Sequence, residues 1–213
     1  MFLAASSPLL DELYTYVGND PLDRTDPTGL YGMGTGWDDD SWKKFDKVQQ
    51  QAASDMDKRA DALDKKADKL DAKGKSGGDT LRATAGNLRD GASALRRDGS
   101  DGKLANRVDA KTYQSMGGSE SGAAFVKGNG PIMTVNGGNA AAWTTGASMS
   151  QWVVGHESLH TAGLNDQRGP NGALAYKFGY PVNVDAFRAI SGTDKANINP
   201  DSIMNLVYPW LQQ

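Results

Sequence analysis

The chain has 213 residues, 38% of them apolar, enough for one moderate core or for a small domain with an appendage. A net charge of −3 offers no basic field for nucleic acid or an anionic membrane surface. With no cysteine and two histidines, disulfides and thiolate metal ligands are excluded, and a transition-metal site must draw on His, Asp, Glu or Tyr.

The opening "MFLAASSPLL" lacks a basic n-region and is too short to span a bilayer, so it reads as neither signal peptide nor anchor. Residues 1–36 are rich in Gly, Pro, Asp and Tyr, and turn signals in "GNDP" and "TDPTGLYG" predict an extended segment lying over something larger. Within it, "LYTYVGNDPLDRTDPTGL", residues 13–30, resembles the close of the conserved core of Rhs/YD-repeat proteins. The resemblance implies a β-cocoon enclosing a variable C-terminal toxin, with self-cleavage after Leu30 and a toxin that begins at Tyr31. It also implies partners: the Rhs core shell, a specialised secretion apparatus that delivers the effector into a target cell, and a cognate immunity protein. The expected organisation is a tail of the Rhs core over 1–30, a linker and helical hairpin over 31–104, and a toxin unit over 105–213.

Residues 38–98 predict the hairpin. Trp42, Phe45, Gln49, Ala52, Met56, Ala60, Leu63, Ala67 and Leu70 recur at three- and four-residue steps, with charges elsewhere. "GKSGGD" (74–79) breaks the pattern, and Asp79 is placed to cap a second helix carrying Leu81, Ala85, Leu88, Ala92 and Leu95. That second stripe is thin and contains Gly86 and Gly91, so the helix needs tertiary support. A scaffold, or a pro-segment or partner-recognition arm, would each explain the hairpin.

Residues 105–213 predict an α+β unit. "AAFVKG" and "PIMTVNG" read as two strands joined by "GNG". "PIMTVNGG" suits either a core strand or an edge on which an extended substrate adds by main-chain pairing. An amphipathic helix follows from about Ser148 to Ala162, capped by Thr145 or Ser148, with Trp152 and Val153 seating it on the core. Another helix is predicted near Val184–Ile190.

Both histidines lie on the first of these helices, in "HESLHTAGLND", residues 156–166. Residues four apart on a helix differ by about 40° and one turn, so His156 and His160 point at one spot. Glu157, rotated by about 100°, reaches water at that spot without being a ligand. A catalytic zinc keeps three protein ligands and an open position. Beyond His160 the chain has no His, Cys or Glu, which leaves Asp166, Asp185, Asp194 and Asp201. Asp166 is favoured, because Gly163 can end the helix with positive φ and fold the chain back.

The string H-E-x-x-H-x-x-G-x-x-D resembles the metzincin zinc-peptidase signature, whose last position is usually His and in some members Asp. The resemblance implies a small peptidase domain with a short mixed sheet and an active-site helix. It also implies Zn²⁺ on His156, His160 and Asp166, and Glu157 as general base on a protein or peptide substrate. Metzincins also place a methionine in a tight turn beneath the metal, and "NPDSIMNLVY" (199–208) is similar, with Met204 as candidate. In some members a tyrosine two residues later steadies the tetrahedral intermediate. Tyr208, four residues beyond Met204, and Tyr176 are the candidates here, and packing would explain either. The expectation is a zinc endopeptidase effector. Two alternatives stay open: an interaction module whose metal site is structural or degenerate, and a metal-dependent amidase acting on cell-wall peptide.

Overall fold

The computed structural model describes residues 31–96, 99–139 and 148–211; the Rhs-like stretch, Leu30 and the alternative cap Thr145 lie outside them. Six α-helices and a four-stranded mixed sheet among the described residues make an α+β fold. None of these helices is long and apolar enough to cross a membrane.

Helix α1, Asp39–Asp71, starts on a reciprocal cap: Ser41 N donates to Asp38 Oδ1 at 2.8 Å, and Asp38 N donates back to Ser41 Oγ at 3.3 Å. Its buried face, Phe45, Gln49, Ala52, Ala53, Met56, Ala60, Leu63 and Ala67, follows the predicted stripe. Helix α2, Gly78–Leu95, returns along it. Asp79 is not its cap. Gly77 holds that position with φ 101°, and Asp79 falls inside the first turn, where its side chain makes no capping bond. The glycine turn starts the helix earlier than the aspartate signal predicts. Register between the two helices is marked by arginines at seven-residue intervals, each meeting α1 carboxylates: Arg82 with Asp68 and Asp71, Arg89 with Asp61 and Asp64, Arg96 with Asp57.

The sheet comprises β1 (Gly32–Met33), β2 (Leu104–Val108), β3 (Ala124–Val126) and β4 (Ile132–Asn136), in the order β1-β2-β4-β3. β1, β2 and β4 run parallel, with Gly32 beside Leu104 and Leu104 beside Ile132; β3 is antiparallel to β4. The predicted "GNG" hairpin is therefore present. "PIMTVNGG" takes the core-strand option: β4 lies inside the sheet, with Met133, Thr134, Val135 and Asn136 buried. The edges are β1 and β3. The short helix α3, Ala110–Ser115, joins β2 to the loop before β3 and is capped by Asp109.

Helix α4, Ser148–Thr161, lies on the hairpin and shares one hydrophobic core with it and with the sheet. Two glycines permit that approach. A Cβ at Gly91 on α2 would sit 2.6 Å from Met56 Cε and 2.9 Å from Leu159 Cδ2, and one at Gly155 would sit 2.3 Å from Met204 Cε. The glycine that weakens α2 as an isolated helix is thus what lets α4 close on it. Burying Leu159 and Met204 here, each 0% exposed, contributes about 1.5–3 kcal/mol per side chain.

Helix α5, Pro181–Ile190, begins earlier than predicted, because Pro181 presets the first turn. A 3₁₀ segment, Asp194–Ile198, leads into α6, Pro200–Val207. "NPDSIMNLVY" is thus a helix rather than a tight turn. Pro200 sits at its first position and Ile203 N donates to Asn199 O at 3.0 Å, while Ile203, Met204 and Val207 supply a buried helical face. Met204 nonetheless lies directly beneath α4, against Gly155.

Candidate metal centre

The centre grows from the end of α4. Gly163, at φ 101°, donates to His160 O at 2.9 Å, and Leu164 N donates to Leu159 O at 3.0 Å, closing the helix in a Schellman motif. The chain doubles back, so Leu164 O lies 2.9 Å from His160 Nδ1 and Asp166 arrives opposite the two imidazoles. His156 Nε2 and His160 Nε2 are 3.0 Å apart. Asp166 Oδ1 is 3.8 Å from His156 Nε2, and Asp166 Oδ2 is 3.6 Å from His160 Nε2. One donor atom from each residue falls within 4.8 Å of the others.

These spacings suit a cation. Ligand atoms about 2.0–2.2 Å from a tetrahedral zinc stand roughly 3.3 Å apart, inside the range these pairs cover. Asp166 Oδ1 is buried and has no hydrogen-bond partner, a costly state for a carboxylate oxygen facing an imidazole unless a cation satisfies it. The donor set, two imidazoles and one carboxylate, is one zinc accepts.

Each donor is backed by another group. Asp201 Oδ2 lies 3.1 Å from His156 Nδ1, and Asp201 Oδ1 accepts from Lys177 N at 2.6 Å. Tyr176 donates its phenol to Asp166 Oδ2 at 2.9 Å. Burial alone would push the His156 imidazole down, but Asp201, Glu157 and Asp166 together lift it to about 9. Burial and the neighbouring His156 lower His160. Two imidazole nitrogens in contact share one proton when no cation separates them.

Glu157, 7% exposed, lines the cleft beside the donors, and its Oε2 accepts from Val126 N on β3 at 2.7 Å. Burial raises its carboxyl to about 7, against the pull of His156 and the Val126 amide. A cleft of about 480 Å³ joins these groups; its walls include Tyr113, Phe125, Trp152, Val153, Tyr176 and Phe178. Trp152 stacks on His156 at 5.3 Å, so it and Val153 belong to the cleft as well as to the core.

Of the predicted site residues, His156, Glu157, His160, Asp166 and Tyr176 come together in this cleft. Tyr208 does not: its phenol donates to Asp55 on α1 at 3.1 Å, tying the end of α6 to the hairpin, and it is 1% exposed. Asp185 pairs with Arg188 on the exposed face of α5, and Asp194 opens the 3₁₀ segment, both outside the cleft. Asp201 has a role that sequence reasoning did not give it. It enters the sequence as an alternative third ligand, whereas here it stands behind His156. Comparison with family models, with curated proteins and with solved structures gives no match for this chain.

Proposed function

We propose that this chain is a zinc-dependent peptidase, the effector domain of an Rhs-type toxin. The observation that carries the reading is the convergence of His156, His160 and Asp166 beside a buried glutamate in one cleft. A closed structural zinc takes four protein donors, whereas three His, Asp or Glu donors are grouped among the described residues, which favours a site with room for a reactant. Zinc held there supplies a Lewis acid for the scissile carbonyl and for the attacking water.

The rest is the work of the chain's own side chains. Glu157 is anchored through Oε2, which leaves Oε1 to take the water's proton and hand it to the amine that leaves as the C–N bond breaks. A carboxyl near pH 7 suits both halves of that transfer. Asp201 and Leu164 O fix the imidazoles, and Tyr176 holds Asp166. A peptide substrate is favoured by the edge of β3. Asn136 N donates to Ala123 O at 2.8 Å, so by antiparallel alternation Ala124 turns its main-chain groups outward, into the cleft.

The test compares new protein termini in cells making the wild-type chain with those in cells making Glu157→Gln. New termini confined to wild type, with equal zinc content in the two purified proteins, are expected. Equal cleavage by the variant removes Glu157 from the chemistry, and zinc loss in the variant reassigns it as a ligand. The Rhs resemblance adds release after Leu30, delivery by a secretion apparatus and neutralisation by an immunity protein.

A further inference from the structure

We infer that the cleft is closed at one end, so that the protein cuts close to one terminus of its substrate instead of in the interior; this rests on the peptidase reading above. β3 and the turn after it are sewn to the C-terminal half of α4. Val126 N donates to Glu157 Oε2 at 2.7 Å. Asn129 Nδ2 donates to Asn165 Oδ1 at 3.1 Å and to Gly163 O at 3.3 Å. Thr161 Oγ1 donates to Gly130 O at 3.2 Å and in turn accepts the Tyr31 phenol. The seam joins residues 126–130 on one side to residues 157–165 on the other.

Asn129 holds φ 57°, the left-handed region, as the one non-glycine residue there among the described residues. Such a conformation costs free energy and persists where contacts fix it, as the Gly163 and Asn165 bonds do here. Val126 has already given its outward amide to Glu157, so no further strand can pair with β3 beyond that point. Val126, His160 and Asp166 line the cleft, and just past them Asn129 is bonded to Gly163 and Asn165.

At the other end the cleft runs along Gly117, Gly118 and Ser119, and a second hollow of about 950 Å³ adjoins it, sharing Ser119, Tyr176 and Phe178 and lined also by Glu120 and Tyr180. Tyr180 is 79% exposed, a large ring left in water at the open mouth. The metal donors and Glu157 therefore stand at the sewn end of the cleft. The seam bonds start at Glu157 and include Asn165, next to Asp166, which leaves room for few substrate residues beyond the bond being cut. A chain lying antiparallel to β3 puts its N-terminus at that end, and a parallel one its C-terminus.

The test is a time course of the zinc-loaded full chain acting on a long unstructured polypeptide. Products are mapped by mass spectrometry, with Glu157→Gln as the blank. The expected products are shortened from one end in short steps, with internal fragments at least about tenfold rarer. Trimming from either end carries the inference, and the end trimmed gives the direction of pairing. Internal fragments at the earliest times overturn it and leave the peptidase reading standing. No cleavage by wild type removes that reading and the inference with it.

Discussion

The aspartates of the hairpin and those of the candidate metal centre meet positively charged or chargeable partners at similar distances, in opposite surroundings. Arg89 reaches Asp61 and Asp64 at 2.9 and 2.7 Å, with side chains 35–63% exposed. Asp201 reaches His156 Nδ1 at 3.1 Å with its side chain 1% exposed. Coulomb attraction at 4 Å is about 1 kcal/mol in water and about 4 kcal/mol at the effective dielectric of a protein. The hairpin pairs therefore choose a register and contribute little else, whereas a buried carboxylate dictates the state of whatever it touches. If that contrast holds, substitutions in the centre change chemistry without unfolding the chain, and those on the hairpin change almost nothing.

The largest effect is expected at Glu157. Glu157→Gln keeps a group of the same shape against Val126 N but cannot take a proton, so cleavage falls by about a hundred- to ten-thousandfold while zinc content is unchanged. Asp201→Asn comes next. It keeps the shape behind His156 but can present an N–H to Nδ1, which disfavours the tautomer that offers Nε2 to a metal. Zinc affinity, measured by competition with a chromophoric chelator, should weaken about ten- to a hundredfold. An unchanged affinity would make Asp201 a packing residue and break the comparison.

Proton linkage sharpens it further. In the metal-free protein His156 is raised to about 9, and binding must expel that proton. Zinc affinity should therefore rise by up to about tenfold per pH unit toward pH 9 and level off above it. The metal-free fold behaves oppositely. A raised imidazole stabilises below its unfolded value of about 6.5 and loses that contribution as pH rises through about 9, which thermal melts of chelated protein would follow.

How much of this could be read before the fold was known follows from how far each contact reaches along the chain. The α1 stripe and the pair His156 and His160 are local, set by 3.6 residues per turn, and Asp166 is within reach of Gly163. Asp201 is not local: it reaches His156 only because Met204, three residues on, packs into the gap left by Gly155. Strand order is likewise absent from alternation alone, so β4 could not be told from an edge until β2 paired with it. Tyr208 follows Met204 by four residues where the metzincin pattern has two, and its phenol is claimed by Asp55, 153 residues away.

The smallest expected effect is at Arg89, and it tests the other half of the contrast. Arg89→Ala removes two ion pairs at once, to Asp61 and Asp64. Because all three groups are solvated, the loss should be no more than about 1 kcal/mol in urea denaturation, and smaller still at high salt. Zinc affinity and cleavage should not move, since the stripe that supports α4, Met56, Ala60 and Leu63 on α1 with Leu88 and Ala92 on α2, is left in place. A larger loss, or one indifferent to salt, would mean that the arginine ladder holds the two helices together by packing of its aliphatic stems. The hairpin and the centre would then differ less in how much they depend on single residues than their exposure suggests.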